Sequence, residues 1–174
     1  MRFTALALPG VVQIEIEPVE DARGSFARLF CATEFEAHGL KFNFVQHSLS
    51  ANLRAGTLRG LHYQRAPQET KLVRCRAGAA YDVVVDLRRD LPSFGRWCAI
   101  ELSAARRNAL LVPKGCAHGF QTLVDGTELL YLIDTPYDAA AATWIRWNDP
   151  QLAIPWPLAD PILSERDRGL PCLA

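Results

Sequence analysis

The sequence lacks an excess of charge of either sign. Its 174 residues contain 19 Lys and Arg and 19 Asp and Glu, so the formal net charge at pH 7 is zero. A protein that binds nucleic acid or an anionic membrane through its overall field needs a basic excess. The balance therefore predicts no nucleic-acid or membrane partner, and any anionic ligand must be bound by a local cluster of cations.

Long apolar runs and paired cysteines are also missing. The opening stretch "MRFTALALPGVVQIEIEP" reaches Pro9 and Gly10 too soon for a signal peptide, and no segment is long enough to span a bilayer. The five cysteines are odd in number and not closely paired, unlike a disulfide framework. These absences predict a cytoplasmic protein with reduced thiols.

Helical periodicity is scarce, and period-two alternation dominates. Segments such as "VVQIEIEP", "GTLRGLHYQ", "TKLVRC", "AAYDVVVDLR" and "ELLYLID" are typical of strands separated by turns. So many strands with almost no helix between them exclude a parallel α/β sheet. We therefore predict one all-β domain over residues 1–174, a sandwich or jelly roll.

Two local signals refine this prediction. Thr33 as N-cap, Glu36 three residues later and Gly39 as the stop predict one short helix with a capping box. The pair Asp125-Gly126, between "FQTLV" and "TELLYL", predicts a β-hairpin.

Three polar side chains stand out inside strand segments. If the faces that carry His62, Lys71 and Tyr131 point inward, a cavity holds an imidazole, an ammonium and a phenol, each costly to bury without partners. For any one residue alone an exposed face is the simpler interpretation, and we keep it for His38 and His47. Three such residues on separate strands favour an assembled site.

Basic residues near these strands suggest an anion site. Arg23, Arg59 and Lys71 would form a local cluster suited to a diphosphate, because guanidinium groups bind phosphate oxygens in bidentate fashion. The alternative for each arginine is a solvated surface position or a carboxylate partner. Strict alternation places Arg59 opposite His62, so both line one pocket only if Gly60 marks a bulge or Arg59 lies at the mouth of the sheet.

A metal site is the minority hypothesis. "VPKGCAHGF" places His118 where the second half of a cupin motif has a metal ligand. The first half usually offers His-x-His, but here Gln64 replaces the second imidazole, and an amide is a poor transition-metal ligand. His62, Glu69 and His118 could still form a three-ligand site of a metal-dependent isomerase or dioxygenase, although a metal-free pocket is the preferred interpretation.

A long series of motifs occurs in order between residues 21 and 167: "D-x-RG-x-F", "FVQ-x-S-x-S", "G-x-LRGLHYQ", "KLVRC-x-x-G", "DVVVDLR", "LVPKGCAHGF", "LLY", "RWNDP" and "S-x-x-D". The series resembles the dTDP-4-dehydrorhamnose 3,5-epimerase (RmlC-like) family of the cupin superfamily. The resemblance implies a cupin-type β jelly roll with one or two short helices and a homodimer without metal or organic cofactor. It also implies epimerisation of a 4-keto-6-deoxy sugar carried on a nucleoside diphosphate, most simply a dTDP-sugar.

The resemblance also implies roles for individual residues. His62 is the base, Asp167 orients its ring, Tyr131 returns a proton on the opposite face and Lys71 stabilises the enolate oxygen. The implied substrate-binding residues, which hold the sugar and its nucleotide diphosphate, are Arg23, Gln46, Ser48, Arg59, His118, Tyr137 and Arg166.

Three departures from the family pattern leave the substrate open. Arg28 stands where the family commonly has glutamate, Gln46-His47-Ser48 replaces the usual "Q-D-N", and Ala142-Thr143 replaces a glutamate and glycine. The alternatives are therefore an enzyme that inverts only carbon 3 or carbon 5, or one that uses a CDP- or GDP-linked sugar. A non-catalytic sugar-nucleotide binding module ranks last, because a binder needs no facing acid and base.

Overall fold

A computed structural model describes residues 1–173 of the chain, and within them thirteen strands and two short helices. The strands are β1 Arg2–Ala5, β2 Val12–Glu15, β3 Val19–Asp21, β4 Gly24–Phe26, β5 Gln46–Asn52, β6 Leu58–Gln64, β7 Lys71–Ala77, β8 Ala79–Asp86, β9 Trp97–Ser103, β10 Ala109–Val112, β11 Cys116–Thr122, β12 Thr127–Ile133 and β13 Ala142–Trp144. The helices are α1 Ala32–Ala37 and α2 Glu165–Arg168. Neither helix is long and apolar enough to cross a membrane.

Two antiparallel sheets form the body. One has six strands in the order β1-β2-β10-β7-β12-β5, and the other has five in the order β13-β6-β11-β8-β9. Strands β3 and β4 pair only with each other. The predicted all-β, cupin-type jelly roll with short helices is confirmed.

Apolar side chains cover both faces of each sheet. The cluster between the sheets includes Val73, Leu110 and Phe120. The C-terminal segment covers the outer face of the five-stranded sheet, and α1 with its flanking phenylalanines covers that of the six-stranded sheet. Strands such as "VVV" in β8 and "ALLV" in β10 are apolar on both faces for this reason.

The predicted hairpin at Asp125-Gly126 is wrong. A turn does lie there, and Gly126 has a φ of 68°. However, β11 belongs to the five-stranded sheet and β12 to the six-stranded one, so the turn passes between sheets. Glycine and aspartate mark where the chain reverses but do not specify the sheet that the next strand joins.

The capping box predicted for α1 is also wrong. The N-cap is Cys31, which makes no side-chain cap, and Thr33 lies within the helix. The buried Phe35 ring contacts Phe3 and Phe30. The backbone N–H of Phe35 donates to the Cys31 carbonyl. Packing of this ring therefore fixes where the helix starts, whereas the predicted stop at Gly39 holds, with a φ of 73°.

A β-bulge in β6 resolves the question about Arg59. Opposite β11, Arg59 pairs with Phe120 and His62 with His118, so two residues of β6 face one of β11. Gly60 has a φ of 151°, and a Cβ added there would lie 2.7 Å from the Gly119 Cα, so only glycine fits. The bulge places Arg59 and His62 on the same face.

Candidate active site

A cavity of about 290 Å³ opens between the two sheets. The five-stranded sheet contributes Arg59, His62 and His118 to its walls, and the six-stranded sheet contributes Lys71 and Tyr131. The three polar residues that stood out in the sequence therefore meet in one hollow. His38 and His47 are exposed and lie outside it.

The His62 ring is held by a buried carboxylate. Its Nε2 lies 3.0 Å from Asp167 Oδ1, and the Asp167 side chain is only 4 % exposed. Asp167 sits in α2, where its own N–H donates to the Ser164 hydroxyl that caps the helix. This short helix presents the carboxylate to His62.

Asp167 stays ionised at neutral pH. Burial raises the pKa of its carboxyl group. The hydrogen bond with His62 and the nearby charges of His62 and Arg166 lower the pKa by more than burial raises it, so the net pKa is below its ordinary value. An ionised carboxylate only accepts hydrogen bonds, so His62 Nε2 carries the hydrogen. When the ring is neutral, the lone pair is on the other nitrogen, Nδ1, which can then act as a base.

Tyr131 enters the cavity from the opposite sheet. Burial raises the pKa of its phenol well above the ordinary value, and the charge of Asp82 raises it further. Arg59 opposes this with a smaller effect. Tyr131 therefore remains protonated at any physiological pH and can donate a proton across the cavity from His62.

Lys71 is paired inside the cavity. Its Nζ lies 2.9 Å from Glu69 Oε1, and the two side chains are 11 % and 13 % exposed. The pair holds an ammonium group in the cavity that Tyr131 also lines, without leaving either charge unpaired. Glu69 appeared in the sequence only as a candidate metal ligand.

His118 is paired in a similar way. Its Nε2 lies 2.8 Å from Asp82 Oδ1, and its ring meets Tyr131 edge to face at 5.9 Å between centroids. Asp82 on β8 is fully buried. The strand contacts between β8 and β11 bring these two residues together, although neither sequence neighbourhood indicates the other.

A polar row on β5 leads out of the cavity. Gln46 Nε2 donates to the Ser48 hydroxyl, and Gln46 Oε1 accepts from the Tyr137 N–H. The Gln46 and Ser48 side chains both line the cavity. Tyr137 also lines it and is 63 % exposed, at the mouth of the cavity. This arrangement offers hydrogen-bonding groups and an aromatic face to a ligand that extends outwards.

Two arginines of the cavity have fixed positions. Arg59 Nε donates to Oδ1 of the buried Asn52 at 2.8 Å. Arg166 lies over the Trp144 ring, 5.2 Å from its centroid. Arg59 therefore keeps its remaining N–H groups available for an anion.

Arg23 does not line this cavity. It lies in the turn between β3 and β4, its side chain is 90 % exposed, and it pairs with Asp21 at 2.6 Å. The predicted cluster of Arg23, Arg59 and Lys71 is therefore wrong within one chain. The β3–β4 hairpin pairs with no strand of either large sheet, and Arg23 contacts Asp21 of the same hairpin.

The three candidate metal ligands each have another partner. His62 contacts Asp167, Glu69 contacts Lys71, and His118 contacts Asp82. Across residues 1–173, no group of three or more His, Cys, Asp or Glu side chains is arranged to hold a metal ion.

Several cavity residues were not predicted from the sequence: Ser50, Tyr63, Gln64, Phe120, Ile133 and Trp144. Ser50 continues the alternation of Gln46 and Ser48, which is a signal that could have identified it. Two of the three departures from the family pattern reach the cavity, through Ser48 and Ala142. Arg28 lies outside it, 3.8 Å from Glu34.

Comparison with known proteins identifies the family. The sequence profile described as dTDP-4-dehydrorhamnose 3,5-epimerase matches residues 5–174. A relative of that name from Pseudomonas aeruginosa is 44 % identical over 170 residues, which cover 97 % of this chain and 93 % of the relative.

Solved structures agree. The Bacillus anthracis dTDP-4-dehydrorhamnose 3,5-epimerase, with TDP and PPi bound, superposes with a TM-score of 0.96 at 43 % identity and 99 % coverage of both chains. The Legionella pneumophila enzyme, in complex with dTDP-4-keto-L-rhamnose, gives a TM-score of 0.93 at 35 % identity, covering 98 % of this chain and 92 % of its own. The chain belongs to the dTDP-4-dehydrorhamnose 3,5-epimerase family.

Proposed function

We propose that this protein is an isomerase that converts dTDP-4-dehydro-6-deoxyglucose to dTDP-4-dehydrorhamnose by epimerisation at carbons 3 and 5. The observation that carries the proposal is a base and an acid that enter one cavity from opposite sheets, His62 and Tyr131. The names of the relatives and of their bound ligands support the substrate class.

The chemistry follows from the ketone. A C–H bond beside a carbonyl is acidic once the resulting enolate is stabilised, and His62 Nδ1 takes that proton while the electron pair moves to the carbonyl oxygen. The Lys71 ammonium stabilises the enolate oxygen. Tyr131 then gives its proton to the opposite face of the carbon, which inverts the centre and needs no metal or redox cofactor.

Asp167 keeps His62 in the reactive form. It accepts the Nε2 hydrogen and stabilises the imidazolium that forms when Nδ1 takes the proton. The reaction closes when His62 loses its proton and the Tyr131 phenolate regains one, both by exchange with water.

The cavity volume indicates how the substrate lies. About 290 Å³ is near the lower limit for a cavity that encloses a drug-sized ligand. We therefore place the sugar inside and the nucleotide at the mouth. There Arg59, Arg166 and the row of Gln46 and Ser48 are available to the diphosphate, and Tyr137 to the base.

We further propose a homodimer in which the β3–β4 hairpin reaches a second copy of the chain. Val19 and Phe26 on this hairpin are 74 % and 81 % exposed, which is unusual for large apolar side chains. Arg23 at its turn could then act at the partner's cavity.

The five cysteines are all free, which fits the reducing cytoplasm.

The test is to incubate the purified protein with dTDP-4-dehydro-6-deoxyglucose in deuterated water and to analyse the product by proton spectroscopy and mass. We expect deuterium at carbons 3 and 5 and the rhamno configuration. Exchange at one carbon alone, or only with a CDP- or GDP-linked sugar, would replace the proposal with one of those activities. No exchange with any of the three nucleotide sugars would overturn it.

A further inference from the structure

Asp82 is a buried carboxylate that the chemistry above does not use. It is 0 % exposed and lies on β8 between Phe120 of β11 and Ile100 of β9. Its Oδ1 contacts His118 Nε2, but its Oδ2 is buried and has no hydrogen-bond partner. Oδ2 is the one such side-chain atom found among residues 1–173.

This environment does not tolerate a net negative charge. A buried carboxylate needs a paired positive charge or hydrogen bonds to both oxygens, and Asp82 has only the contact with His118. Burial and the unpartnered Oδ2 therefore favour a pair that is neutral overall. It is either a carboxylate with an imidazolium, or a carboxylic acid that donates to a neutral ring.

Both neutral arrangements leave a hydrogen on the same atom. In the imidazolium both ring nitrogens carry hydrogen, and in the neutral ring that accepts at Nε2 the hydrogen is on Nδ1. Only the net negative pair would leave Nδ1 without one. Because Nε2 is engaged by Asp82 and His118 lines the cavity, Nδ1 is the nitrogen available to a ligand.

The other His–Asp pair of the cavity, His62 with Asp167, has different surroundings from His118 with Asp82. Asp167 has the Ser164 cap and the Arg166 side chain close by in addition to His62, so it remains an anion and accepts the Nε2 hydrogen of His62. In the neutral ring the lone pair is then on Nδ1. Asp82 lacks such support. The same two residue types thus produce a base at one wall and a donor at another, because their surroundings differ.

We propose that Asp82 is a positioning residue of the active site, which keeps a hydrogen on His118 Nδ1 and makes that ring a donor to the ketone oxygen of the substrate. This inference rests on the proposed function. His118 then shares the developing enolate charge with Lys71, and Asp82 acts only through His118.

Nitrogen NMR of the ¹⁵N-histidine-labelled protein without substrate tests the hydrogen directly. The chain has four histidines, and a His118→Asn variant identifies the signals of that ring. We expect a protonated Nδ1 at neutral pH in the native protein. An unprotonated Nδ1 on His118 overturns the inference, whatever the outcome of the activity assays.

Kinetics test the consequence. In Asp82→Leu, which removes the carboxylate and leaves an apolar side chain, we expect kcat to fall by about 100-fold, as for loss of one oxyanion donor, with KM changed less than threefold. The double variant His118→Asn/Asp82→Leu should have the same kcat as His118→Asn alone, because Asp82 acts only through His118. Thr122→Val, at a buried hydroxyl on the same strand as His118, serves as the matched control and should keep kcat.

These outcomes separate the two proposals. If the native protein does not turn over any of the nucleotide sugars, the proposed function fails irrespective of Asp82. If it does, while Asp82→Leu keeps its kcat or the two substitutions lower kcat independently, only the role of Asp82 is rejected.

Discussion

At the scale of single residues, three nitrogen-bearing side chains of the central cavity are each paired with a carboxylate. The pairs are His62 with Asp167, Lys71 with Glu69, and His118 with Asp82. Each pair fixes the geometry of a reactive group while limiting the charge left in the cavity. Attraction of the anionic diphosphate then depends on Arg59, whose Nε donates to Asn52, and on Arg166, whose Nε lies 3.7 Å from Asp167.

Lys71 gives the clearest prediction at this scale. Lys71→Met removes the proposed enolate-stabilising charge but also leaves the Glu69 carboxylate unpaired. The loss of the ammonium group must therefore be measured in a variant in which Glu69 is neutral as well. We expect Lys71→Met/Glu69→Gln to have a kcat about 100-fold lower than Glu69→Gln alone, with similar KM and melting temperature. Equal kcat values for these two variants, measured on the proposed substrate, would remove Lys71 from the chemistry.

The sequence predicted some of these residues and could not predict others. His62, Lys71 and Tyr131 were visible because each interrupts an apolar strand with a polar group. Glu69 was singled out only as a candidate metal ligand, and Asp82 was not singled out although it too interrupts an apolar strand, β8. The contacts of both residues depend on the strand that lies beside them. Partnership across strands is a property of register, which one sequence does not specify.

At the scale of elements, the bulge in β6 positions the site. Without it, Arg59 and His62 would lie on opposite faces, and the cavity would lose either the proposed anion-binding group or the proposed base. The sequence offered two ways to place Arg59, and the crowded contact between Gly60 and Gly119 shows which one applies.

Gly60→Ala tests the bulge. The added Cβ meets the Gly119 backbone and a backbone conformation that alanine disfavours, so we expect a loss of about 2 kcal/mol or more in unfolding free energy. We also expect a raised KM and a lowered kcat, because Arg59 and His62 move apart. Gly39→Ala, where φ is 73° and nothing lies within 4 Å of an added Cβ, is the control that should lose stability but keep kcat.

At this scale the turn residues predicted where the chain turns but not which strands pair after the turn. The Asp125-Gly126 turn and the Gly39 stop were located correctly from residue type, because a positive φ is a local requirement. The pairing after the turn and the N-cap of α1 were not, because sheet membership and the burial of Phe35 are decided by distant parts of the chain.

At the scale of the whole molecule, the two sheets bring the proposed base, His62, and the proposed acid, Tyr131, into one cavity. Period-two alternation was enough to predict an all-β sandwich. It could not give the order of strands, which places β6 and β12 on facing walls. The exposed β3–β4 hairpin, which no local pattern identified as a pair of strands, is the feature that points beyond one chain.

Mixing two inactive or weakened variants tests that hairpin. If Arg23 acts at the partner's cavity, a mixed dimer of Arg23→Ala and His62→Asn chains contains one intact site. We expect activity at low substrate concentration to rise when the two variants are unfolded and refolded together, and sedimentation to show two chains per particle. No rise above the sum of the separate samples would show that Arg23 does not act across copies.

The most direct test of the central claim is deuterium exchange in three proteins with dTDP-4-dehydro-6-deoxyglucose. The native chain should exchange and invert the carbons beside the ketone. His62→Asn should lose exchange by a factor of about 10³ or more, and Tyr131→Phe should still exchange protons while losing inversion. Native-like exchange in His62→Asn, or native-like inversion in Tyr131→Phe, would contradict a base and an acid acting from opposite sheets.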